Sequence, residues 1–303
     1  MFIRMAQDKH TPVLLQETIE LLDSKKGDTV LDATVGAGGH SLEIANRIGA
    51  SGALIGLDQD QSALDASLDK LGKAGPRIIL LRENFRNLDK ALESLGIKEV
   101  DRIIFDLGMS SMDIESSGRG FSFNRDEPLL MTLSSEVTPE TLTAKDVVNS
   151  WGEESLADII YGFGGEQFSR RIAKAIVEER ERGPIENTLK LAEIVTSAVP
   201  DWYRKRKLHP ATKTFQAIRI AVNDELGALK EGIDKGWASL KKGGRMAVIS
   251  FHELEDRIVK NKFKEYGKNF EAKIITKKPV VPQREEVLEN PRSRSAKLRA
   301  IEK

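Results

Sequence analysis

Three aspartates, each closing a short apolar run, are the residues best suited to do chemistry in this chain. They are Asp32 after Val30-Leu31, Asp58 after Leu54-Ile55-Gly56-Leu57, and Asp106 after Ile103-Ile104-Phe105. Between the first two lies Thr34-Val35-Gly36-Ala37-Gly38-Gly39-His40, a glycine-rich turn feeding a helix. An apolar run ending in an acid, a glycine turn, a helix and a second such run make half of a nucleotide-binding β-α-β unit. The glycines admit a ligand that a Cβ would push away. Asp58 follows the first glycine by about twenty residues, where it is placed to accept hydrogen bonds from both ribose hydroxyls of an adenosine-containing ligand. The alternative for Gly36, Gly38 and Gly39 is a tight turn in some other α/β protein.

What the loop lacks narrows the ligand. A dinucleotide fingerprint needs a third glycine where Ser41 stands, and the Gly-Lys-Ser/Thr of a P-loop occurs nowhere. Pyrophosphate and triphosphate are therefore poorly served. Asp32, at the lip of the first strand, repels phosphate but suits an ammonium or a sulfonium. S-adenosylmethionine carries both. Asp106 ends the strand that lies beside the first across the topological switch point, where open α/β sheets hold their ligands. It is the best-placed acid for catalysis; its alternative role is to cap the following turn.

The elements that must position these residues follow from hydrophobic periodicity. Thr11 as N-cap and Pro12 at the first helical position open a helix to Leu22, with His10 either bordering the ligand or sitting on the surface. Strands are predicted at 30–32, 54–58, 77–82, 100–106 and 246–250, with a closing pair at 273–277 and 296–301, and helices at 62–71 and 88–95. Phe85, at the carboxyl end of the third strand, lies against an adenine or is an ordinary core aromatic. From 112 to about 209 the pattern turns helical, with helices at 149–161, 166–182 and 188–198: an insertion between the fourth and fifth strands. Near its end Trp202-Tyr203 abuts Arg204-Lys205-Arg206-Lys207, a patch suited to phosphates and exposed bases. Helices at 212–226 and 233–240 return the chain to the sheet, and Phe251-His252-Glu253-Leu254-Glu255-Asp256-Arg257 forms a polar cluster on a loop entering a helix. Arg292 and Arg294, in Asn290-Pro291-Arg292-Ser293-Arg294-Ser295, belong to a loop touching RNA or to an ordinary hairpin connection.

Composition excludes several classes. Lys plus Arg equals Asp plus Glu at 47 each, so no global field draws in nucleic acid and any RNA contact must be local. With no cysteine, disulfides, thiolate nucleophiles and cysteine zinc sites are out; four scattered histidines speak against a histidine metal site, and metal-free chemistry is expected. No stretch has the length of a signal-peptide core or a membrane span, so a cytoplasmic protein is expected.

Taken together, the motifs His10-Thr11-Pro12-Val13-Leu14-Leu15, Asp32 to His40, Asp106-Leu107-Gly108 with Ser110-Ser111, Arg119-Gly120-Phe121-Ser122-Phe123, His209-Pro210-Ala211-Thr212 with Phe215-Gln216-Ala217-Ile218-Arg219, Ile249-Ser250-Phe251-His252 and Asn290 to Ser295 resemble, in order and over the whole chain, the bacterial MraW family. The resemblance implies N4-methylation of a cytosine at the decoding site of 16S rRNA, with S-adenosylmethionine as donor and the small ribosomal subunit as partner. It also implies an α/β class I methyltransferase fold, a Rossmann-like sheet formed by 1–111 and 211–303, with a helical substrate-recognition domain inserted at 112–210. By the resemblance, cofactor contacts fall on Gly38, Gly39, His40, Asp58, Phe85 and Asp106, beside Asp32 and Gly36 from the reading of the loop itself. A family glutamine corresponds to Asp113, which when ionised donates no hydrogen bond. Leu130, Thr132 and Glu253 also depart from the family pattern. Asp106 is expected to accept a hydrogen bond from the target amine, with Ser110, Ser111, His252 or Glu253 orienting the base. Whether the protein pairs with itself is left open by the sequence. Three rivals remain: a small-molecule methyltransferase, a nucleotide-dependent oxidoreductase (disfavoured by Ser41 and Asp32), and a catalytically silent RNA-binding or ribosome-assembly protein.

Overall fold

The computed structural model describes residues 12–108, 117–270 and 272–303. The chain divides into two compact units, Met1–Gly108 with Gly227–Lys303 and Met109–Leu226. In chain order the described elements are α1 (Leu15–Leu22), β1 (Thr29–Asp32), α2 (Gly39–Ile48), β2 (Ala53–Asp58), α3 (Gln61–Leu71), β3 (Arg77–Arg82), α4 (Leu88–Ser94) and β4 (Val100–Asp106). There follow α5 (Ala144–Ser150), α6 (Glu153–Gly162), α7 (Ser169–Arg180), α8 (Thr188–Ala198), α9 (Asp201–Arg204) and α10 (Ala211–Asn223). Last come α11 (Glu225–Ser239), β5 (Leu240–Ser250), α12 (Glu253–Asn269), β6 (Lys273–Ile274), α13 (Arg284–Glu289) and β7 (Lys297–Glu302).

The first unit is built on a seven-stranded sheet in the order β3-β2-β1-β4-β5-β7-β6. Strands β1 to β5 pair in parallel, and β7 runs antiparallel to both β5 and β6. Alternation along each strand sends neighbours to opposite faces. Leu31, Ile55, Ile103, Phe105, Met246 and Val248 pack with Leu88, Leu229, Ile233, Trp237 and Phe263 from α4, α11 and α12. Val30, Leu54, Ile104, Ala247 and Ile249 pack on the other face with Ile19, Leu22, Ile44, Ile48, Leu64 and Leu71 from α1, α2 and α3. Burial on both faces explains why the parallel strands read as unbroken apolar runs. The second unit has its own core, in which Val147, Leu156, Ile160, Ile172, Ile176, Leu191, Val195 and Ile218 are buried among the helices.

Several boundaries differ from the sequence expectation. Leu14, not Thr11, is the N-cap of α1 and adopts a left-handed φ of 52°, so the helix starts three residues after Pro12. The single helix expected at 149–161 is two, α5 and α6, separated at Trp151-Gly152; Thr143 and Asp146 close a capping box at the start of α5. The helix expected at 212–226 stops where Asp224 takes a left-handed φ of 44°, and α11 then runs unbroken to Ser239. Strand β5 starts at Leu240 instead of 246, with a register shift against β4 between Val100 and Arg102.

Candidate active site

The carboxyl ends of β1, β2 and β4 bring the three aspartates to one edge of the sheet, and the β1–α2 loop threads between them. Gly36 (φ 50°) and Gly38 (φ 73°) turn that loop through the left-handed region, and at Gly39 a Cβ would stand 2.4 Å from Pro12 Cγ. The loop is held by its acids. Asp58 Oδ2 accepts from the Gly36 amide at 2.9 Å and its Oδ1 from the Asp60 amide at 2.9 Å.

Asp32 is 2% exposed. Its Oδ2 accepts from the Ser41 hydroxyl at 2.6 Å and its Oδ1 from the Thr34 amide at 3.1 Å. Burial pushes its pKa up to about 6, opposed by Ser41, the His40 charge and Thr34. His40, 5% exposed, sets Nε2 3.0 Å from the Val13 carbonyl and Nδ1 3.3 Å from Asp106 Oδ2. Neither partner has a proton to give when Asp106 is ionised, so both ring nitrogens act as donors, which requires the imidazolium. Burial opposes that charge, but the hydrogen bond and charge of Asp106 outweigh it and hold His40 above the ordinary histidine value. The Asp106 amide donates to Thr34 Oγ1 at 2.6 Å. Its Oδ1 is buried with no hydrogen-bond partner among the described residues.

These observations fit an adenosine-containing cation. A buried carboxylate oxygen at the strand end without a hydrogen-bond partner among the described residues, a buried carboxylate beside it and a glycine loop with positive φ provide acceptors and close backbone approach, while the sequence carries no P-loop motif to answer a triphosphate. Asp32 would hold the charged end of such a ligand, and Asp58 its ribose. Ser67 Oγ is likewise buried without a hydrogen-bond partner among the described residues, 2.9 Å from where a Gly38 Cβ would lie.

The other expected residues take varied places. Phe85 packs edge-on against Phe105 (centroids 5.6 Å apart) and stands 2.7 Å from where a Gly232 Cβ would lie, so one side of its ring is committed to the core. His252 is the N-cap of α12, and Glu255 closes a capping box by accepting from the Phe251 and His252 amides at 2.8 and 3.2 Å. Glu253 is 77% exposed and pairs with Arg257 one turn on. Ser110, Ser111 and Asp113 lie outside the described residues. In the second unit, Arg204 to Lys207 are all exposed, and Arg204 donates to the Val199 and Ser197 carbonyls at 3.2 and 3.3 Å. Arg292 and Arg294 are exposed on a 3-10 turn at Pro291–Ser295.

Sequence reasoning missed Thr34, Ser41 and Ser67. Thr34 had a legible signal, since a residue two after an aspartate commonly donates its amide to that carboxylate. Ser41 was read for the glycine it replaces, not for the hydroxyl it brings to Asp32.

A model of the MraW methylase family matches residues 7–303. The protein named ribosomal RNA small subunit methyltransferase H from Clostridium botulinum (strain Kyoto / Type A2) is 47% identical, covering 97% of this chain and 99% of that one. Its namesake from Persephonella marina is 46% identical, with the same coverage. A crystal structure described as a putative rRNA-methylase from Clostridium thermocellum superposes with a TM-score of 0.43 at 16% identity, over 96% of this chain and 97% of that one. With its Rossmann-like class I sheet and S-adenosylmethionine as methyl donor, the chain belongs to the MraW methylase family.

Proposed function

We propose that this methyltransferase modifies the exocyclic N4 amine of one cytosine at the decoding site of 16S rRNA, within the small ribosomal subunit. The relatives at 46–47% identity are named as small-subunit rRNA methyltransferases, which supports ribosomal RNA as the substrate. The single observation that carries the chemistry is Asp106: its backbone amide is tied to Thr34, its Oδ2 faces His40, and its buried Oδ1 has no hydrogen-bond partner among the described residues.

The cytosine amine is a poor nucleophile because its lone pair is delocalised into the ring. S-adenosylmethionine supplies an electrophilic methyl group on a sulfonium. Asp106 Oδ1 accepts a hydrogen bond from the amine, which localises the nitrogen lone pair and aims it along the line of displacement. His40 pairs with its other oxygen and leaves Oδ1 to face the amine. The target base must leave any stack to reach a group at the end of a strand. We also assign Ser110, Ser111, His252 and Glu253 to orienting the base, Asp113 to the cofactor, and Arg292 and Arg294 to RNA. An rRNA substrate fits work in the cytoplasm, and among the described residues no helix is long and apolar enough to cross a membrane.

The test is methyl transfer to unmodified small subunits by wild type and by Asp106→Asn, with S-adenosylmethionine affinity followed by calorimetry. The proposal requires lost turnover with binding retained to within about tenfold. Full turnover in the variant would exclude Asp106 from the chemistry. Binding of NAD in place of S-adenosylmethionine would favour an oxidoreductase, and cofactor-free RNA binding without transfer an assembly protein.

A further inference from the structure

We propose that Trp202, with Arg206 against it, is a stacking platform for an unpaired base of RNA, flanked by Lys205 and Lys207 as phosphate contacts. The proposal rests on an RNA substrate and deepens that reading by naming where the second unit grips it. Trp202 is 55% exposed, an unusual place for the largest apolar side chain. The Arg206 guanidinium lies 4.9 Å from the centroid of the Trp202 ring and 4.8 Å from that of Tyr203. Those two rings meet edge-on at 89°, and Phe168 closes the group with its centroid 6.0 Å from Trp202 and 5.0 Å from Tyr203.

The platform is held from beneath. Glu166, fully buried, accepts the Tyr203 hydroxyl at 2.5 Å on Oε2 and the Phe168 amide at 2.9 Å on Oε1. Burial, with the Glu166 hydrogen bond and charge, raises the Tyr203 pKa to about 12, so that hydroxyl stays protonated and keeps donating. Fixing the neighbouring rings lowers the ordering cost of a stacked ligand.

Charge selects the occupant. Arg204, though exposed, is folded back onto the end of α8 and onto Asp201, so the basic run is not uniform. Lys205, Arg206 and Lys207 face solvent, and Arg171 sits 5.8 Å over Phe168. An aromatic face ringed by cations matches a base with its phosphates, because every base offers a π-face and every linkage a negative charge. An acidic or apolar protein surface would leave the cations or the ring unmatched.

The probe is a short fluorescein-labelled single-stranded RNA of mixed sequence, titrated into the full chain with a blunt duplex as comparison. Trp202→Ala should weaken single-strand binding by about tenfold, within the range of base–aromatic stacking, and leave duplex binding unchanged. Trp202→Phe should restore most of the loss. The double change Lys205→Ala with Lys207→Ala should flatten the log–log salt slope by about 1.4, two single-strand phosphate contacts at about 0.7 each. Arg204→Ala should leave that slope unaltered. Equal single-strand affinity in Trp202→Ala and wild type would overturn the proposal. So would a loss that appears only with a change in sedimentation, since a second copy would then be the occupant. Wild type that methylates small-subunit RNA, with Trp202→Ala binding normally, removes the platform and keeps the function. Trp202-dependent RNA binding without any methyl transfer does the reverse.

Discussion

Replacing Asp32 by asparagine should make the empty protein more stable and the cofactor complex weaker. Asparagine can keep both contacts of the carboxylate, accepting from the Thr34 amide and donating to Ser41 Oγ, while removing a charge that is 2% exposed. The Asp32 carboxyl loses its proton near 3.8 in the unfolded chain and at about 6 in the fold. Between those values the folded state holds a proton that the unfolded state has shed, so this group's contribution is present below pH ~4 and is lost as pH rises through ~6. A shift of about two pKa units corresponds to about 3 kcal/mol. Urea unfolding of both proteins across pH reads that contribution as a difference, which includes the smaller effect of the Asp32 charge on His40. The two should match near pH 4, where Asp32 is neutral, and diverge until Asp32→Asn is about 2–3 kcal/mol more stable at pH 7.5. Calorimetry at that pH should show S-adenosylmethionine binding weakened by about tenfold or more, the loss of one charge-assisted contact. A variant no more stable than wild type at pH 7.5, or a difference that stays flat with pH, would refute the assignment of Asp32 as a buried charge kept for its ligand.

Other outcomes follow from named contacts. The His40 ring, followed by NMR, should titrate above the ordinary histidine value of about 6.5 and fall in Asp106→Asn; its stabilising contribution is full below about 6.5 and is lost as pH rises through the folded value, so a midpoint below 6.5 in wild type would contradict the imidazolium. Gly39→Ala, which sets a Cβ 2.4 Å from Pro12 Cγ, should cost about 1–3 kcal/mol in unfolding experiments and weaken cofactor binding; an unchanged midpoint would show that Pro12 yields freely. Asp256→Ala leaves Arg299 buried without the carboxylate that meets it at 2.6 Å, and should lower stability by about 3–5 kcal/mol, with Asp256→Ala/Arg299→Met recovering part of the loss.

The sheet and its acid-tipped strands were legible because burial on both faces demands apolar runs, and a run ending in aspartate marks both the strand and its ligand edge. Breaks within helices were not. Asp224 and Glu225 are both tolerated in a helix, so nothing local announced that Asp224 would turn left-handed and start α11. The α5 start was written in Thr143-x-x-Asp146, a capping box easily passed over amid other polar residues. The same grammar explains His252, whose place three residues before Glu255 makes it a helix cap as well as a member of a polar cluster. At the site, the sequence placed Asp32, His40 and Asp106 at one sheet edge, but not which of them meet. That His40 reaches Asp106 on one side and the Val13 carbonyl on the other depends on how α2 packs against the turn before α1, a tertiary contact without a local signature.

The most direct test of the account is to map a labelled methyl group from S-adenosylmethionine onto unmodified small subunits at nucleotide resolution. The wild-type protein should mark the N4 of a single decoding-site cytosine, and Asp106→Asn should leave that nucleotide unmarked while still binding the donor. Label spread over many nucleotides, placed on another atom, or delivered equally well by Asp106→Asn would contradict it.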